Sequence, residues 1–208
     1  MIILSIDPGC KNLGYSLIKI NNPKINLNNI DNNIEQFFKD NNVEFLEFNN
    51  INFGNYNNIY DKIITLFLNI LDKINLNQEF LHIIIEKQMK ISVNISEISS
   101  IIQTFFITFF TLNKEKKNNF KITIISPHYK NKIAEMIDKD GSIRIKFINQ
   151  YQYNKHLVEL YFLNLNEKLN LIDDKKYING SGKHILKLND IADSFIQILS
   201  FFKYYLVK

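Results

Sequence analysis

The stretch "MIILSIDPGCKNLGYSLIKI", residues 1–20, decides the fold. Met1 to Ile6 reads as a buried strand, and it ends in a carboxylate, Asp7. Pro8 and Gly9 then turn the chain. A second apolar run, Leu13 to Ile20, follows at once, so the segment predicts a β-hairpin. An acid at the end of a core strand either opens the turn or waits for a positive charge.

Outward from the hairpin, residues 21–42 are rich in Asn and read as an extended, variable insertion, with a short helix around Ile34 to Phe38. Residues 43–53 alternate as a third strand. Tyr56 to Ile74 carries apolar residues at helical spacing. "FLHIIIEK", 80–87, is an almost unbroken apolar run, the pattern of a strand covered on both faces with parallel neighbours. Ile95 to Leu112 is helical again, with an apolar stripe wider than one face. A strand at 120–126 ends at Pro127, helices are expected at 143–152 and 154–169, and a polar loop spans Lys175 to Leu188. A final helix runs from Asn189 to about Tyr205. This order predicts one α/β domain over residues 1–208: a mixed sheet with helices on both faces.

Composition narrows the class. The chain has 208 residues, 46% hydrophobic and 22% charged, which suits a single globular domain. Its one cysteine, Cys10, excludes an intrachain disulfide and points to a reducing compartment. No apolar run reads as long enough to span a membrane, and the opening strand leaves no room for a leader, so a cytoplasmic protein is expected. Charge is uneven. Residues 1–110 hold 8 basic and 11 acidic residues; residues 111–208 hold 17 and 10. A basic second half suggests a polyanion partner, although lysine-rich composition also produces one. Arg144 is the one arginine. Reading guanine edges relies on Arg, so any nucleic acid is expected to be recognised by backbone and shape.

Two core strands end in acids, Asp7 and Glu86. The last helix carries Asp190 and Asp193, which share a face at i,i+3. Taken singly, Asp7 is a turn former, Glu86 a strand end, and Asp190 and Asp193 partners of the helix dipole behind an Asn189 cap. Together they are four carboxylates at the ends of elements this architecture assembles, and buried acids require compensation. Oxygen ligands suit Mg²⁺ or Mn²⁺. Such a set can hold two ions for phosphodiester hydrolysis.

The hairpin pattern Ile6-Asp7-Pro8-Gly9, Asn12, Gly14-Tyr15, then "IIIEKQ" (83–88) and "NDIADSF" (189–195) resemble the three motifs of the RuvC-like Holliday junction resolvases. These belong to the ribonuclease H-like superfamily. "IEKQMK" and "SPHYKNK" (126–132) resemble the poxvirus branch. The resemblance covers most of the chain except 21–42 and parts of 140–185. It implies a ribonuclease H-like five-stranded mixed sheet flanked by helices. It also implies a Mg²⁺-dependent homodimer, with two ions per site and Mn²⁺ as a substitute, that cuts four-way DNA junctions by paired nicks. A viral member would work in the host cytoplasm. Asp7, Glu86, Asp190 and Asp193 carry over as metal ligands, and Lys130 and Lys132 as candidates for the lysine near the scissile phosphate, with Lys132 preferred. The helix at 95–112 carries over as the dimer contact. Lys114, Lys116, Lys117, Lys121, Lys139, Arg144, Lys146 and Lys155 are candidates for the DNA surface. Tyr15 and Tyr129 are either packing residues or base-stacking ones. His82 reads as packed, and His184 as a possible extra ligand.

Other ribonuclease H-like nucleases keep the same acids. A DNA-binding module without activity needs the acids to be structural. An actin-like ATPase needs a second phosphate hairpin that is absent. "NGSGKH" (179–184) lacks the P-loop spacing.

Overall fold

The structure is a computed structural model. It describes residues 1–9, 11–54, 58–74, 76, 78–88, 93–113, 119–172 and 188–206. Cys10, Lys114, Lys116, Lys117, His184 and residues 175–187 of the expected polar loop lie outside the described residues.

Five strands form one sheet in the order β3-β2-β1-β4-β5. Strand β1 (Ile2–Pro8) pairs antiparallel with β2 (Asn12–Ile20), which pairs antiparallel with β3 (Val43–Asn52). On the other side β1 runs parallel to β4 (Leu81–Glu86), and β4 parallel to β5 (Phe120–Ile125). Both β1 and β4 are buried along their length except at their acids, as their unbroken apolar runs require.

Side-chain alternation splits the core in two. Ile2, Leu4, Ile6, Ile83 and Ile85 face a layer built from α2 (Ile59–Lys73) and α3 (Val93–Leu112). Ile3, Ile18 and Ile84 face the opposite layer. That layer is built from α1 (Ile34–Asp40), α4 (Pro127–Ala134), α5 (Gln150–Leu169) and α6 (Leu188–Phe201). Twelve of the fourteen residues of α6 are buried, so it is a core helix rather than a cover. Two of its buried serines are satisfied: Ser194 pairs with Ser16 of β2 at 2.7 Å and donates to the Ile191 carbonyl, and Ser200 donates to the Ile196 carbonyl. The chain continues from α6 into one π-helical stretch, Phe202–Leu206.

Four expectations change. The Asn-rich segment is not merely a variable connection. Asn33 caps α1, whose Phe37 and Phe38 are buried, and Asn41 ties the segment together by donating to the Asn26 and Phe37 carbonyls. A helix not foreseen, α4, begins directly after β5, with Ser126 as its cap and Pro127 in its first turn. The helices expected at 143–152 and 154–169 are instead a 3₁₀ turn at Arg144–Lys146 and one continuous α5 capped by Asn149. Asp138 organises that connection by accepting from the Ile143 and Arg144 N–H groups and the Tyr153 hydroxyl. Finally, Ile95–Leu112 is long and apolar enough by length and composition to cross a membrane, because Ser, Thr and Gln interrupt its apolar run and Glu97 is its one charged residue. Here Ile98, Ile102, Phe106 and Phe110 are seated in the sheet core, while Ile107 and Leu112 are exposed.

Candidate metal centre and nucleic-acid cleft

Asp7 lies at the end of the central strand. Its register partner on β2 is Gly14, whose partner on β3 is Asn50. On the other side Ile6 pairs with Ile85, so Asp7 and Glu86 come next along parallel strands. Residues 7, 14, 50 and 86 therefore form one transverse row on the face that α6 covers.

The first turn of α6 lies over this row. A Cβ on Gly14 would fall 2.0 Å from the Asp190 carbonyl oxygen and 2.9 Å from the Asp190 Cβ. No side chain fits there. The missing side chain at residue 14 brings the last helix down onto β2 and sets Asp190 beside Asp7. Ligand atoms of Asp7, Asp190 and Asp193 all lie within 4.8 Å of one another. Glu86 stands outside that group but lines the same cleft, of about 650 Å³, together with Lys130, Lys155 and Tyr151.

Two lysines enter among the acids. Lys130, on α4, pairs with Glu86 at 2.5 Å and with Asp193 at 2.8 Å. Lys155, on α5, pairs with the other Asp193 oxygen. Burial opposes the charge on Lys130, but Asp193, Glu86 and Asp7 outweigh it and hold its pKa well above the ordinary lysine value. Lys155 is shifted upward in the same way, chiefly by Asp193 and Asp7 against the cost of burial. Burial pushes the Asp193 carboxyl up, yet Lys130 and Lys155 reverse this and hold it below the usual carboxylate range. Asp7 behaves oppositely. Burial, then the charges of Glu86 and Asp193, raise it well above that range despite both lysines.

These directions test whether a cation fits. Four acids face two ammonium groups, and Asp7 carries the shortfall as a suppressed ionisation. The donors are all hard carboxylate oxygens, converging from a strand and a helix. Asp7, Asp190 and Asp193 therefore form a group suited to a divalent cation. Beneath them the Ser5 hydroxyl and both polar atoms of the Gln197 side chain are buried without a partner among the described residues.

The other candidates separate. Lys132 is exposed, whereas Lys130 is buried in the cluster. Lys121, Lys139 and Lys146 are exposed; Arg144 donates to the Phe147 carbonyl and lies over the Tyr153 ring. Tyr15 is 1% exposed and its hydroxyl donates to Glu47, while Tyr129 stacks on Tyr204, so both are packed. His82 is buried against Phe201 and paired with Thr123, and burial lowers its pKa to about 4. Sequence reasoning placed Lys155 among surface lysines and passed over Asn50, which donates to Asp190 at 2.7 Å.

No protein-family model matches the chain, and no curated protein matches it. Among solved structures it resembles Fowlpox virus resolvase, solved with substrate Holliday junction DNA, at 20% identity and a TM-score of 0.56, with both chains covered in full. It also resembles the yeast mitochondrial Holliday junction resolvase at 17% identity and a TM-score of 0.56, over 96% of this chain and 78% of that one. RuvC of T. thermophilus, in complex with a Holliday junction substrate, aligns at 11% identity and a TM-score of 0.49, over 97% and 94% of the two chains. The mixed five-stranded sheet flanked by helices is the ribonuclease H-like fold of these resolvases.

Proposed function

We propose that the chain is a metal-dependent, structure-selective endonuclease that resolves four-way DNA junctions. One observation carries the reading: Asp7, Asp190 and Asp193 converge within 4.8 Å at the end of the central strand of a resolvase-type sheet. Two neighbours with this fold are a Fowlpox virus resolvase bound to substrate Holliday junction DNA and the yeast mitochondrial Holliday junction resolvase. Asp7, Asp190 and Asp193, with Glu86 beside them, would hold Mg²⁺, two ions in the fullest reading. When bound, divalent ions activate water and stabilise the leaving oxygen of a phosphodiester.

The chain's own groups do the rest. Asp193 is the pivot, since each of its oxygens meets a lysine. Lys130 is anchored by two acids and orients Glu86 and Asp193. Lys155, partly open to the cleft, offers its ammonium to a DNA phosphate. Basic residues 121, 139 and 146 on the surface fit backbone recognition and a salt-dependent affinity. Two copies joined through the outer face of α3 would give one site to each of two equivalent junction strands.

The test is cleavage of end-labelled four-way and linear duplexes in Mg²⁺ or EDTA. Junction cutting in Mg²⁺ alone is expected. Asp193→Asn should lower it by at least about a thousandfold, about 4 kcal/mol in barrier, with junction binding in Ca²⁺ retained. Equal cutting of linear duplex, or full activity of that variant, would refute the proposal.

A further inference from the structure

We infer that Asn50 is a positioning residue of the metal centre: its side-chain amide holds Asp190 in the orientation that receives a cation. The inference rests on reading the acids as a metal site, and it adds a strand, β3, that contributes no acid to that site. Asn50 is 8% exposed and lies in the same transverse row as Gly14 and Asp7. Cross-strand partners share a face, so its side chain stands on the side that α6 covers. Gly14 lies between them without a side chain, and the backbone of Asp190 occupies that gap. Asp190 therefore lies between an amide on β3 and a carboxylate on β1. The Asn50 Nδ2 donates to Asp190 Oδ2 at 2.7 Å, leaving Oδ1 for a metal.

The chemistry of the partner matters. Asp193 is held by two ammonium groups, which neutralise it. Asp190 is held by a neutral amide, which fixes its rotamer and leaves its charge intact. A residue that had only to stabilise a buried acid would serve better as a lysine. One that must hold the acid still while a cation arrives should be neutral. Such outer partners are worth about 10- to 100-fold in metal affinity.

The test compares full-length wild type, Asn50→Leu and Ser16→Ala by calorimetric Mn²⁺ titration without DNA, with thermal melts in EDTA alongside. Ser16→Ala removes a different buried contact between β2 and α6, the one to Ser194, and touches no acid. Asn50→Leu should bind Mn²⁺ about tenfold more weakly, while Ser16→Ala should melt earlier and bind as wild type does. Asn50→Ala supplies the same comparison if Leu prevents folding. Unchanged Mn²⁺ affinity in the Asn50 variants overturns the inference. So does an equal loss in Ser16→Ala, which would assign the effect to helix seating. Absence of Mn²⁺ binding in wild type overturns the parent reading, and this one with it.

Discussion

Lys130 is 6% exposed and touches two acids, so its loss would leave Glu86 and Asp193 facing one another with less compensation. Breaking a buried pair from one side costs about 3–5 kcal/mol. Lys130→Met is therefore expected to lower stability in EDTA by that order, to regain part of it in Mn²⁺, and to lose junction cutting. Lys132→Met should stay within about 0.5 kcal/mol of wild type and keep its activity. Urea melts and single-turnover cleavage check both. The sequence carried the means to rank the two lysines. With Ser126 as cap and Pro127 in the first turn, residues 130, 133 and 134 form the inward stripe of a helix, and Ile133 and Ala134 are indeed buried beside Lys130. Without that helix, "HYKNK" has no phase.

At the level of elements, the site depends on how closely α6 approaches β2. Gly14→Ala would drive a methyl group into the Asp190 backbone, a clash no rotamer relieves. The variant should lose about 1–3 kcal/mol, read by urea denaturation, and should also bind Mn²⁺ less tightly because Asp190 moves with the helix. The acids at strand ends and the Asp190–Asp193 spacing were legible because strand and helix periods are strong local signals. The junction between α4 and α5 was not. Asp138 builds it from side-chain bonds to Ile143, Arg144 and Tyr153, and such bonds have no period. The Asn-rich segment misled for a related reason. Its composition suggests disorder, yet Phe37 and Phe38 supply enough apolar burial to fix it, and its asparagines cap and cross-link it.

For the whole molecule, the two faces of the sheet have different duties. One is covered by the helices that build the site. The other is covered by α2 and α3, whose outer sides expose Ile64, Leu68, Ile107 and Leu112. Scattered apolar residues are ordinary, but here they lie on adjoining helices, as a subunit contact would require. Ile107→Asp is expected to shift sedimentation from dimer to monomer with an unchanged circular dichroism spectrum, since residue 107 is 51% exposed. A monomeric wild type would remove the dimer from the proposal.

The acids of the cluster are widely spaced along the chain, at 7, 86, 190 and 193. On a ribosome, the sheet can be laid down while α6 is still unmade, and at that stage half of the cluster does not exist. On the proposed reading, synthesis order acts as a safety catch: a polypeptide that ends before α6 lacks Asp190 and Asp193, two of the four acids that would hold the metal.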